Sequence, residues 1–186
     1  TWDVRDLLRE ARDAGLDFVA LTDHNTTSQL AGIGTPADPR PLVIPGVELT
    51  TFHGHALGLG TRDWIDWGVL RRDGMEAAAD EVRGHGGLFV IAHPLAGGDP
   101  VCTGCDWRYG DMMPGTARAV EIWNGPWTGS SNNERALSLW YAWLNQGWRI
   151  VATAGSDAHG PGRIASGTGR NVVHATDLSP RAILDA

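Results

Sequence analysis

Along residues 4–14, Val4, Leu7, Leu8, Ala11 and Ala14 recur at three- and four-residue intervals with charged residues between them. That spacing puts the apolar side chains on one face of a helix, and Gly15 supplies the stop, so an amphipathic α-helix is predicted. The period then changes. Residues 17–22 (Asp-Phe-Val-Ala-Leu-Thr) are a short apolar run of the kind that strands buried on both faces show, and the run ends abruptly in Asp23-His24-Asn25. Similar runs recur at 42–48, 55–59, 88–92, 118–123, 149–154 and 171–175, with helical patterns between them at 74–85 and 134–146. Strands alternating with helices predict βα units, right-handed crossovers and a parallel or mostly parallel sheet. Residues 31–41 and 94–114, where Gly, Pro and Asp interrupt any periodicity, read as surface loops and candidate pocket walls. The sequence has no internal repeat and no low-complexity tract. It opens directly before the first predicted helix and stops at Ala186 inside what reads as another, so flanking elements are expected beyond both ends.

At 186 residues the chain has the length of a single domain, 1–186, with enough residues to bury most of its unfolded surface in one core. It is 42% hydrophobic and 20% charged, and no apolar stretch approaches the roughly 20 residues of a membrane span. No signal peptide is visible at Thr1; a cytoplasmic location is expected, with secretion left open because the N-terminus reads as cut. Net charge is −7, and the 15 basic residues, all arginine, are scattered singly or in pairs. That distribution argues against nucleic acid and favours a small-molecule substrate. The sequence sets no oligomeric state. Cys102 and Cys105 form one C-x-x-C, which cannot complete a four-thiolate zinc site. A local disulfide, a half-site for a further metal and plain loop cysteines all stay open.

The chemistry gathers where predicted strands stop. His24 follows the run 17–22, Glu48 ends 42–48, His55 begins the next run, His93 follows 88–92, and Asp157 with His159 follow 149–154. In barrels and open α/β sheets the loops at the carboxyl ends of strands converge on one crevice, so position is better evidence here than number. Imidazoles mixed with carboxylates suit zinc, manganese or iron, and a carboxylate such as Glu48 can give one oxygen to each of two cations. Two nearby cations that share a hydroxide are a hydrolytic device. A Ser nucleophile is disfavoured, because no Gly-x-Ser-x-Gly elbow is present. His85, before Gly86-Gly87, reads as a helix-end residue and His174 as structural, while for His53 a supporting or substrate-contacting role is the alternative to having no part in the site. Trp140 and Trp143 recur at helical spacing and read as core, whereas Trp127 is placed either at a pocket rim or under a loop.

Five motifs in order resemble the polymerase and histidinol phosphatase (PHP) family: Leu21-Thr22-Asp23-His24-Asn25, Pro45-Gly46-Val47-Glu48-Leu49-Thr50, Gly54-His55-Ala56-Leu57-Gly58, Ile91-Ala92-His93-Pro94 and Gly155-Ser156-Asp157-Ala158-His159-Gly160. The stretch Val120-Glu121-Ile122-Trp123-Asn124-Gly125-Pro126-Trp127 is similar to the carbaryl hydrolase branch. The resemblance implies a distorted seven-stranded β/α barrel, (β/α)7, here incomplete at both ends, with two or three divalent metal ions. Family members begin with a His-x-His strand and Ser-Asp-Gly, a segment expected upstream of Thr1. Carried over residue by residue, Glu48 bridges, His55 and His93 complete one site, Asp157 joins Glu48 at a second, and His24 with His159 serve a third. Asp23 orients its neighbours. Asn124 and Arg163 are candidate catalytic residues in contact with substrate, against the alternative of a solvated loop arginine for Arg163. The implied activity is metal-dependent hydrolysis of a phosphoester; carboxyl ester, carbamate or amide hydrolysis on the same centre is the alternative. A metal-binding domain without catalysis is the alternative from another class.

Overall fold

The computed structural model describes residues 3–33, 41–98, 100, 102–127, 131–164 and 169–186. Helix α1 spans Val4–Asp13, and Asp3 caps it by accepting from Arg5 N at 2.8 Å. Gly15 follows at φ +72, the left-handed conformation that ends helices and that glycine adopts without penalty. Strands β1 (Phe18–Leu21), β2 (Leu42–Thr51), β3 (Gly54–Leu59), β4 (Leu88–Ala92), β5 (Ala119–Asn124) and β6 (Val151–Gly155) form one sheet in chain order, curled into part of a barrel. Helices α2 (Gly68–Gly84), α3 (Ser131–Asn145) and α4 (Pro180–Asp185) are the other α-helices among the described residues, with short 3-10 turns at Ser28–Gly32 and Gly110–Met112. Of the expected loop 31–41, residues 34–40 lie outside the described residues. No helix among the described residues is long and apolar enough to cross a membrane.

The sheet is mostly parallel, as expected: β1–β2, β4–β5 and β5–β6 pair in parallel, and only β3 is reversed, running antiparallel to both β2 and β4. The hairpin between β2 and β3 turns on only Phe52 and His53, whereas a parallel return needs a dozen or more residues. Two expectations need correction. The run 171–175 is not a strand. Asn171 meets β6 through its side chain, donating to Ala154 O at 2.8 Å and accepting from Ala154 N at 2.9 Å, and Val172 is 99% exposed. Residues 94–114 are not simply a surface loop, because Pro94, Cys105, Trp107 and Pro114 are buried and Trp107 joins the core. In addition, α2 begins six residues earlier than its pattern predicts and breaks at Gly74, where φ is +87.

Alternation along the strands sorts the two faces of the sheet. Val47, Leu49, Ala56, Ile91 and Val120 turn outward and pack with Leu70, Ala78 and Val82 of α2 and Trp143 of α3. Each fully buried Val, Leu or Ile among them contributes about 1.5–3 kcal/mol. The period of two then sends Glu48, Thr50, His55 and Glu121 to the opposite, inner face. Register brings them together: Thr50 lies across from His55, and His55 across from Ala92, the residue before His93. Because β3 is antiparallel, its first residues sit at the same edge as the last residues of β2 and β4. His55 therefore joins the strand-end residues although it begins a strand.

Candidate metal centre

Local backbone devices set each side chain. Past β1, Asn25 adopts φ +55, a conformation Asn tolerates better than most residues, and its amide mimics a strand neighbour for Thr50. Its Oδ1 accepts from Thr50 N at 2.8 Å and its Nδ2 donates to Thr50 O at 3.1 Å. Glu48 N donates to Asp23 O, and Asn25 N to Glu48 O. His24 is thereby fixed across from Glu48.

Glu48, 5% exposed, is the hub. Its Oε1 lies 2.9 Å from His55 Nδ1 and 3.3 Å from His93 Nε2, and its Oε2 lies 3.5 Å from His24 Nδ1. Burial raises the pKa of this carboxyl, but the bonds to His55 and His93 and the nearby imidazole charge outweigh it, holding Glu48 well below the usual carboxylate range. For His93, burial works against the charged ring, while the Glu48 bond and the carboxylates of Glu121, Glu48 and Asp157 carry its pKa up to about 9. His24 extends the cluster outward, its Nε2 3.2 Å from His159 Nε2 and its ring stacked on that of His159.

His93 and Asp157 occupy φ +28 and +48, positions that cost non-glycine residues about 1–3 kcal/mol and persist where the surroundings over-determine them. Glu121 supplies that constraint. Its Oε2 accepts from His93 N at 3.0 Å and from Asn124 Nδ2 at 3.3 Å, and the same Asn124 amide donates to Asp157 Oδ2 at 3.2 Å. Burial pushes the Glu121 carboxyl up to about 7, partly offset by His93. Gly155 makes room for it, since a Cβ there would overlap Glu121 Oε1.

The donor set fits divalent cations. His24, Glu48 and His55 each offer a ligand atom within 4.8 Å of one another. His93 Nδ1 is buried with no hydrogen-bond partner among the described residues, an atom of the kind that an ion or water satisfies. Two imidazole nitrogens on one tetrahedral zinc lie about 3.3 Å apart, given Zn–N bonds of about 2.0–2.1 Å, and the spacing of His24 and His159 is close to that.

All six expected ligands are thus linked: His24, Glu48, His55 and His93 directly, His159 through His24, and Asp157 through Asn124 and Glu121. Glu48, His55 and His93 are buried; His24, Asp157 and His159 are exposed. Asn124 has its amide nitrogen committed to two carboxylates. Arg163 lines an open cleft of about 440 Å³ together with Asp157, His159, Gly160 and Pro161. His53 turns toward Tyr109, at 6.2 Å between rings, and His85 caps α2 near Asp63 and Glu81. His174 is exposed, and Trp127 packs edge-on against Trp123 at 4.8 Å. Sequence reasoning missed Glu121 as part of the site; a carboxylate in mid-strand, alternating with buried Val120, was the signal. It also missed Thr103, whose carbonyl lies 3.1 Å from His55 Nε2.

No family model matches the chain. The fold is a mixed α/β one built on a curled sheet, and it is shared with a solved PHP-like protein. That structure is a two-domain protein from Bacteroides vulgatus containing a predicted PHP-like metal-dependent phosphoesterase, similar at a TM-score of 0.61 and 20% identity over 97% of this chain and 56% of that one. An uncharacterized protein of Methanocaldococcus jannaschii is 28% identical over 123 residues, 64% of this chain and 65% of that protein. The chain spans less than two thirds of the length of either.

Proposed function

We propose that this protein is a metal-dependent hydrolase of PHP type, acting on a small-molecule phosphoester. The finer form of its fold, a distorted seven-stranded β/α barrel, belongs to the same proposal. The observation that carries the reading is Glu48, a buried carboxylate whose two oxygens are approached from different sides by His55 and His93 and by His24. A carboxylate so placed can serve two cations, and the phosphoesterase named in the structural neighbour agrees with that use.

His55 and His93 with Glu48 would hold one divalent ion of the zinc, manganese or iron class, and His24, His159 and Asp157 would complete a second or third. Such ions, when bound, acidify a water and neutralise charge that develops in a displacement. The chain's own groups do the rest. Glu121 and Asn124 hold the His93 backbone and the Asp157 carboxylate in place. The cleft beside Asp157 and His159 is polar and carries Arg163, whose guanidinium suits phosphoryl oxygens better than the apolar group of an aryl ester. Asn124, by fixing Asp157, acts at the border of that cleft.

The test is paired: an aryl phosphate against an aryl ester or carbamate with the same leaving group, on protein loaded with Mn²⁺ or Zn²⁺ and again after chelation. The phosphate is expected to show the higher kcat/KM, with chelation abolishing turnover. A kcat/KM about tenfold higher for the ester or carbamate, roughly 1.4 kcal/mol of transition-state preference, overturns the substrate class in favour of the carbaryl hydrolase-like alternative. Turnover of neither substrate by a metal-loaded protein favours a binding domain.

A further inference from the structure

The hydrolase reading leaves the Cys102–Cys105 pair unused, yet the loop that carries it is seated on the metal centre. The two cysteines are joined in a disulfide, with Cys105 buried and Cys102 partly exposed. Between them, Gly104 lies at φ +75, so close to the β2–β3 hairpin that a Cβ would overlap Thr51 O. Thr103 O points at His55 Nε2 from 3.1 Å. Both sulfurs and a ring nitrogen of His55 lie within 4.8 Å of one another.

His55 has both ring nitrogens aimed at oxygens that only accept: Nδ1 at Glu48 Oε1, 2.9 Å away, and Nε2 at Thr103 O. A neutral imidazole carries one N–H and one lone pair, so it satisfies one of these acceptors, and a cation on the other side removes the conflict. Ligation through Nδ1, toward Glu48, leaves Nε2–H to donate to Thr103. Ligation through Nε2, toward the cysteines, leaves Nδ1–H to donate to Glu48. Each arrangement is complete, and the two exclude each other.

We propose that reducing the Cys102–Cys105 disulfide opens a second cation site, formed by the two thiolates and His55 Nε2, which takes a thiophilic divalent ion and competes with the Glu48 centre for His55. The C-x-x-C spacing is a common half of zinc sites, and two sulfurs with one imidazole leave a fourth position for water. The reductant is a low-molecular-weight dithiol. One of its thiolates attacks the more exposed sulfur, Cys102 Sγ; the S–S bond breaks and Cys105 leaves as a thiolate. The second thiol of the reductant then resolves the mixed disulfide, so the reductant ends as a disulfide and the protein as two thiols. Cation binding releases their two protons. The site depends on no hydrolytic activity, so its failure leaves the phosphoesterase reading standing, and the reverse also holds.

The experiment is a Cd²⁺ titration of the oxidised and reduced protein, followed by thiolate-to-cadmium charge-transfer absorption, a signal that oxygen and imidazole ligands do not give. Reduced wild type is expected to bind one Cd²⁺ with this absorption; the oxidised protein should lack it, and Cys102→Ser, left with one thiolate, should show at most about half of it and bind more weakly. His55→Ala should keep the absorption but bind Cd²⁺ at least about tenfold more weakly, the size of effect that loss of a supporting group has at metal sites. Histidine-selective ¹⁵N NMR on reduced wild type gives the same answer without a variant, since Cd²⁺ should shift His55 Nε2 and leave Nδ1 protonated. Equal Cd²⁺ affinity in wild type and His55→Ala, or an unmoved His55 Nε2 resonance, overturns the proposal and leaves an ordinary dithiol. Absence of the charge-transfer absorption from reduced wild type overturns it as well.

Discussion

Replacing Glu121 with alanine separates a positioning role from simple packing. The carboxylate is the acceptor for His93 N at 3.0 Å and one of two acceptors for the Asn124 amide. Its loss leaves a buried backbone N–H unpaired, at a cost of about 1–3 kcal/mol in stability. His93 then holds φ +28 without its main restraint. Relaxation of that residue releases strain of about 1–3 kcal/mol, and metal binding must restore it. At about 1.4 kcal/mol per factor of ten in affinity, Glu121→Ala is expected to weaken binding of Mn²⁺ or Zn²⁺ by roughly tenfold to a hundredfold. Glu121→Gln keeps a carbonyl oxygen for His93 N and Asn124, and its loss should stay under about tenfold. Isothermal titration calorimetry on chelator-treated protein reads the affinity, and urea unfolding of the same samples reads the stability. Glu121→Ala that remains folded, is destabilised as expected, and binds metal within threefold of wild type would refute the link from Glu121 through His93 to the ion.

Glu48→Gln removes the charge at the hub and should abolish measurable turnover while His85→Ala, at the end of α2, leaves it within about twofold; equal rates for Glu48→Gln and wild type would remove the bridging role. Asn25→Gly retains the left-handed backbone but loses both bonds to Thr50, so stability should fall by about 1–3 kcal/mol, read as a lower urea midpoint with unchanged slope; no change would mean that the main-chain bonds alone hold His24 across from Glu48.

Much of the sheet is legible in the sequence because its strands are short apolar runs ending in polar residues. The direction of β3 was legible too, but from loop length rather than composition. The expected runs 42–48 and 55–59 leave six residues between them, too few for a parallel crossover, and the turn lacks the Asn-Gly or Asp-Gly pair that advertises a hairpin. The run 171–175 misled for the opposite reason. Its two valines and His174 have strand composition, but Asn171 uses its side chain to occupy the backbone groups of Ala154. The seating of Cys102 to Cys105 on His55 was not legible, since it depends on Trp107 being drawn into the core and on Gly104 clearing Thr51. Both are tertiary facts.

The six candidate ligands divide by burial in a way that follows from how the backbone delivers them. Glu48 and His55 come from the body of the β2–β3 hairpin, on its inner face, and His93 follows β4 directly; all three are closed over by the sheet. His24 and Asp157 lie beyond the ends of parallel strands, where Asn25 and Asp157 itself turn the chain through left-handed conformations toward solvent, and His159 follows two residues later. Glu48 and His55 are held by packing and register, His93 by burial and the Glu121 carboxylate, and the exposed three lean on side-chain bonds such as those of Asn25 and Asn124. Ligands held by register cannot move without disturbing the core, whereas those held by single amides can shift at a cost of about a hydrogen bond, near 1 kcal/mol. On the proposed reading, adaptation to different ions or substrates would fall on the half that includes Asp157 and His159, the half that borders the cleft containing Arg163.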